Sequence, residues 1–147
     1  MNRRLILVLV VLGLAAAVIF PRLFLRESRR VGTRSVDTLE TINAAQAIYA
    51  RTHPGRGFAS SLAELGPGPG AQLIDSVLAS GRKSGYVYSL NTTPPDSSGR
   101  IAHYTVIVRP EKYGPESPSF FIDETGVERF TVENRAPTVN DPLRPVQ

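Results

Sequence analysis

At 147 residues, with twelve glycines, twelve prolines and no cysteine, the chain can fold one small domain, and a disulfide framework or thiol chemistry is excluded. The net charge of +4 invites a nucleic-acid reading, but its distribution argues against one. Residues 1–35 carry seven arginines against one acid, residues 36–133 eight lysines and arginines against eleven acids, and residues 134–147 two arginines against one acid; a weakly acidic middle is a poor surface for phosphates.

The first predicted element is apolar. Leu5 to Phe20 carries no charge, Pro21 and Arg22 interrupt, and Leu23 to Leu25 resume. As a helix the run Leu5 to Leu25 would be about 32 Å long at about 1.5 Å per residue, enough to cross the hydrocarbon core of a bilayer. A helix there satisfies its own backbone hydrogen bonds and tolerates the kink that Pro21 favours. Leu5, Leu9, Leu12, Ala16, Ile19, Pro21 and Phe24 are the expected anchor and assembly positions, with the small patch Ala15–Ala17 allowing close helix packing. Arg22, Arg26, Arg29 and Arg30 are expected to meet anionic lipid or acidic partner groups. The alternative is a cleavable signal peptide ending at Ala15-Ala16-Ala17, against which the run stays apolar beyond the cut, at Ile19, Phe20 and Leu23 to Leu25. Five arginines within or after the run and two before it lean toward a cytoplasmic C-terminal part by the positive-inside rule.

Residues 35–51 follow as an amphipathic helix, with Val36, Leu39, Ile42, Ala45 and Tyr49 forming a stripe for packing inside the head. Gly32 lies outside the stripe, which allows anchor and helix to form one long bent rod. Pro54 stops it. Ser61 and Glu64 form a capping box for a one-turn helix ending near Gly66. Leu73, Ile74, Val77 and Leu78 predict a helix over 71–80 with Gly81 as its cap. The period then changes. Strands are predicted over 86–90, 101–108, 119–123 and 127–132, the last two joined by Glu124-Thr125-Gly126 as a bulged hairpin. Residues 134–147, with three prolines, read as a tail that is disordered or draped over the surface. The expected organisation is a spanning helix and basic flank (1–30), a head (31–133) and the tail (134–147).

Few residues suggest chemistry. His53 and His103 have no partner at metal-ligand spacing. There is no Gly-x-Ser-x-Gly elbow and no glycine-rich phosphate loop. Asp123 and Glu124, with Glu128 and Asp96, have the hard oxygens Ca²⁺ prefers, against ordinary turn chemistry. Tyr86, Tyr88, Tyr104, Phe120, Phe121 and Phe130 read as core and sheet pairs, not a ligand box. Neither an enzyme nor any cofactor is expected.

The strings AAAVIFPRLFLRESRR (15–30), VDTLETINAAQAIY (36–49), LIDSVLASGRKSGY (73–86) and SFFIDETGVER (119–129) resemble blocks of type IV pilin-like and type II secretion pseudopilin-like proteins. The resemblance spans roughly residues 10–132. It implies an α+β fold: a long N-terminal helix, membrane-spanning in its first half and amphipathic in its second, packed on an antiparallel sheet of about four strands. It also implies a single-pass protein of the bacterial inner membrane, its head periplasmic or extracellular. Its partners would be other pilin-like or secretion-system proteins or further copies of itself, and not nucleic acid. The chain departs from that pattern at the processing site. Its one early glycine, Gly13, precedes Leu14, the fifth residue from there is Val18, and no acid occurs before Glu27. An anchored or secreted binding module that does not polymerise is the competing expectation.

Overall fold

The computed structural model describes residues 37–69, 71–114 and 117–144. Helix α1 covers residues 37–52. Two single-turn helices follow, α2 (Leu62–Leu65) and α3 (Ser76–Ala79). Five strands complete the head: β1 (Arg82–Lys83), β2 (Tyr86–Thr92), β3 (Tyr104–Pro110), β4 (Ser119–Asp123) and β5 (Arg129–Thr131). They form one antiparallel meander in the order β1-β2-β3-β4-β5.

This corrects the expected fold in two respects. The long N-terminal rod is not seen. Helix α1 is a short head element, and among the described residues no helix is long and apolar enough to cross a membrane. The apolar run itself, with Leu5, Leu9, Leu12, Ala16, Ile19, Pro21 and Phe24, lies outside the described residues, as do Arg22, Arg26, Arg29, Arg30 and Val36. The sheet also has five strands instead of about four. The extra one, β1, is two polar residues joined to β2 through Ser84 and Gly85, both at positive φ (54° and 79°). That backbone is the type I′ turn that matches strand twist, and so short a polar strand leaves no hydrophobic alternation to read.

One face of the sheet is built by alternation. In β3, Tyr104, Val106 and Val108 are buried; opposite them lie Phe120 and Ile122 of β4 and Tyr88 of β2. Helix α1 covers this face with Leu39, Ile42, Ala45 and Tyr49, all within 3% of full burial. These residues form one core with Leu62, Leu65, Ile74 and Leu78. The loop after α1 is stapled to it by Gln46, which is fully buried. Its Nε2 donates to the Ala59 carbonyl at 3.1 Å and its Oε1 accepts the Ala59 N–H at 2.8 Å. Both ends of the amide are thus satisfied, as burial requires. Gly57, at φ +71°, bridges Ile101, and a Cβ there would lie 2.1 Å from the Ile101 carbonyl oxygen; only glycine fits.

The helix expected over 71–80 shrinks to α3. Asp75 caps it by accepting the Leu78 N–H at 2.9 Å. The preceding residues instead donate backbone bonds to the α2 turn, Leu73 and Ile74 both to the Leu65 carbonyl. Strand β3 starts at Tyr104, three residues later than expected, because Ile101 pairs with the Gly57 loop and not with β2.

Candidate functional site

The sheet's second face carries the features that sequence reasoning missed. Its residues are Asn91 of β2, Thr105, Ile107 and Arg109 of β3, Ser119, Phe121 and Asp123 of β4, and Arg129 and Thr131 of β5. The proline-rich tail, expected to be disordered or draped over the surface, lies against this face through residue 144. Phe121 is 6% exposed although it is not part of the helix-side core. Pro137, fully buried, comes from the tail.

The tail is held by polar contacts. Asp141 is its hub: its carboxylate accepts Nη1 of Arg135 at 2.9 Å, Nη2 of the same guanidinium, the Thr138 N–H at 2.6 Å and the Thr138 hydroxyl at 3.2 Å. A two-pronged guanidinium makes charge-assisted hydrogen bonds to a carboxylate that are roughly twice as strong as neutral ones. With backbone donation added, it holds the Asp141 carboxyl well below the usual range. Arg129 Nη1 donates to the Asp141 carbonyl at 2.9 Å and Arg109 Nη2 to Asn134 Oδ1 at 3.0 Å. The Phe130 N–H donates to the Pro142 carbonyl and the Arg144 N–H to the Glu128 carbonyl, both at 3.1 Å. The tail therefore pairs with the outer edge of β5, which blunts an edge that would otherwise recruit foreign strands.

Between tail and sheet runs a groove of about 520 Å³. Thr105 and Phe121 form its floor, Pro137 and Val139 one wall, and Asp123 and Glu124 its acidic rim. His103 Nδ1 sits 2.5 Å from Glu124 Oε1, and the Tyr104 N–H donates to Glu124 Oε2 at 3.4 Å. The Tyr104 hydroxyl donates across the sheet's end to Asn43 Oδ1 of α1. Burial, with the nearby Glu124 and Asp123 charges, pushes the Tyr104 phenol up, so it stays a neutral donor. A second hollow of about 440 Å³ lies at the far end of α1, beside Tyr49, His53, Arg56 and Glu64. There the Tyr49 and His53 rings stack at 4.2 Å, and His53 Nδ1 lies 3.1 Å from the Tyr49 carbonyl. The Glu64 carboxylate is occupied by Arg56 and by the N–H and hydroxyl of Ser60. These contacts close the end of a helix and its loop.

The carboxylates with the hard oxygens Ca²⁺ prefers are dispersed to separate tasks. Asp123 closes the hairpin by accepting from the N–H and hydroxyl of Thr125. Glu124 holds His103, Glu128 accepts Arg144 Nη1 at 2.7 Å, and Asp96 folds its own loop onto Ser98 and Arg100. Among the described residues no group of three or more His, Cys, Asp or Glu is placed to hold a metal. The stripe residues Leu39, Ile42, Ala45 and Tyr49 lie in the core and not at a surface site. The groove could not be found in the sequence: its lining comes from four separate segments between residues 91 and 139, and one is a tail with little apolar content.

No protein-family model, no curated protein and no solved structure matches this chain.

Proposed function

We propose that the chain is a non-enzymatic, membrane-held component of an assembly of the type IV pilus or type II secretion kind, minor or accessory in it. On this reading its N-terminal apolar segment sits in a bacterial inner membrane and its head makes protein contacts on the periplasmic or extracellular side. The observation that carries the reading is the run Leu5 to Leu25 ahead of a head of this size. Only a bilayer or a large apolar partner accommodates such a run, since leaving it in water forfeits roughly 1.5–3 kcal/mol per large side chain. The four pilin-like strings add to it. Val10→Asp places a charge at mid-run, which costs about 2.5–3.5 kcal/mol on insertion scales. The variant should leave the membrane pellet; unchanged fractionation contradicts the reading.

A second reading, an anchored module that binds without polymerising, is favoured by one observation, the absence of any acid before Glu27 where the pilin pattern has its early glutamate. Amine-reactive cross-linking in intact membranes separates the two. A ladder of multimers supports assembly, and a monomer supports the module.

A further inference from the structure

We propose that the groove between the tail and the outer sheet face receives the arginine-rich segment, residues 22–34, of a second copy anchored in the same membrane. The inference rests on the assembly reading and names the contact within it. Three observations lead to it.

The first is charge. The groove's rim carries Asp123 and Glu124, and the same end of the head carries Asp37, Glu40 and Glu128. Among the described residues Glu124 pairs with the His103 imidazole and Glu128 with the Arg144 guanidinium. Burial first, and then Glu40 and Asp37, push the Glu128 carboxyl up against the opposing pull of Arg144. This end of the head thus holds more negative charge than its own cations offset. Residues 22–34 carry Arg22, Arg26, Arg29, Arg30 and Arg34 against Glu27 alone. Matched opposite patches steer association and fix its register.

The second is height. Helix α1 enters the head at this same end. Asn43 receives the Tyr104 hydroxyl, and a Cβ on Gly126 would lie 3.3 Å from Asn43 Nδ2. The flank immediately precedes α1 in sequence. The proposal accordingly sets the flank of one copy beside the groove of another anchored next to it. The third is sidedness. The groove opens on the sheet face opposite α1, away from the helix that the flank precedes in sequence. The groove's floor and wall, Thr105, Phe121, Pro137 and Val139, suit the aliphatic stems of arginine side chains, whose heads then reach the rim.

The chain has no cysteine, which gives a clean test. Two full-length copies with different tags are co-expressed, one with Thr105→Cys in the groove floor and one with Arg30→Cys in the flank. Mild oxidation of the membranes should give a mixed-tag dimer that needs both cysteines. Arg26→Glu with Arg29→Glu in the flank copy should lower its yield roughly fivefold, the loss expected for two partly exposed ion pairs, and added salt should lower it too. A bond found only within a doubly substituted single chain overturns the proposal in favour of the chain's own flank. Absence of the mixed dimer, with amine-reactive multimers still present, overturns the groove contact and leaves the assembly reading standing. Absence of both removes the two together.

Discussion

The two faces of one sheet are covered by opposite means. The helix side is closed by an apolar stripe from α1 against Val106, Val108, Phe120 and Ile122. The other side is closed by a tail held through Arg135, Asp141, Arg129 and Arg109, with Val139 and Leu143 more than half exposed. The first closure is non-directional and scales with area removed from water. The second is directional, gains little net energy per bond, and depends on a few geometries being kept. The helix side should therefore carry the stability of the head, and the tail side should be the part that can open or exchange contacts.

The largest effect should come from the helix side. Ile42→Ala opens a cavity at a fully buried position and is expected to cost about 2–5 kcal/mol. Thermal unfolding of the detergent-extracted chain measures it, and a cost under about 1 kcal/mol would break the comparison. Next comes the staple. Gln46→Ala leaves the Ala59 N–H and carbonyl buried without partners, at a cost of about 1–3 kcal/mol. The expected signature is faster exchange of the Ala59 amide, followed by the amides around Gly57.

On the tail side the same logic predicts local change with little global loss. Asp141→Asn should speed exchange at the Thr138 and Phe130 amides while the melting temperature stays near that of the parent. An equal loss at Val106 and Val108 would show the two faces to be one cooperative unit. The pH dependence follows from the sign of the Asp141 shift. Its folded pKa is depressed by Arg135 and the Thr138 donors. Its contribution is therefore fully present above the unfolded aspartate value of about 3.9 and is lost only as pH falls through the lower folded value. The tail should stay docked at pH 4, and the Thr138 amide should remain protected there.

How much of this was legible in the sequence divides along the same line. The stripe Leu39, Ile42, Ala45 and Tyr49 and the alternation in β3 are periodic, and periodicity reports burial of one face directly. Among the short elements, α2 was legible from its Ser61 and Glu64 capping box, whereas those set by turns and longer-range backbone bonds were not. Residues 71–75 have helical spacing at Leu73 and Ile74, yet backbone bonds to the α2 turn hold them out of the helix. Strand β1 depends on two positive-φ residues, and β3 was displaced because Ile101 found a closer partner in the Gly57 loop. The tail's low apolar content left open a disordered tail or one draped over the surface. It is ordered by Asp141 and Arg135, six residues apart, a pairing that no hydrophobic pattern signals. The groove was hidden for the same reason, because it exists only where that tail meets the sheet.

The most direct test compares residue-resolved hydrogen exchange of the full-length chain in native-density membranes with that of the chain dispersed as monomer in detergent. The account predicts that amides of residues 91–93 and 138–140, along the groove, become more protected in the membrane, while those of Val106, Val108 and Ile122 exchange at the same slow rate in both. Identical exchange along the groove in the two states, or added protection confined to the exposed side of α1, would contradict it.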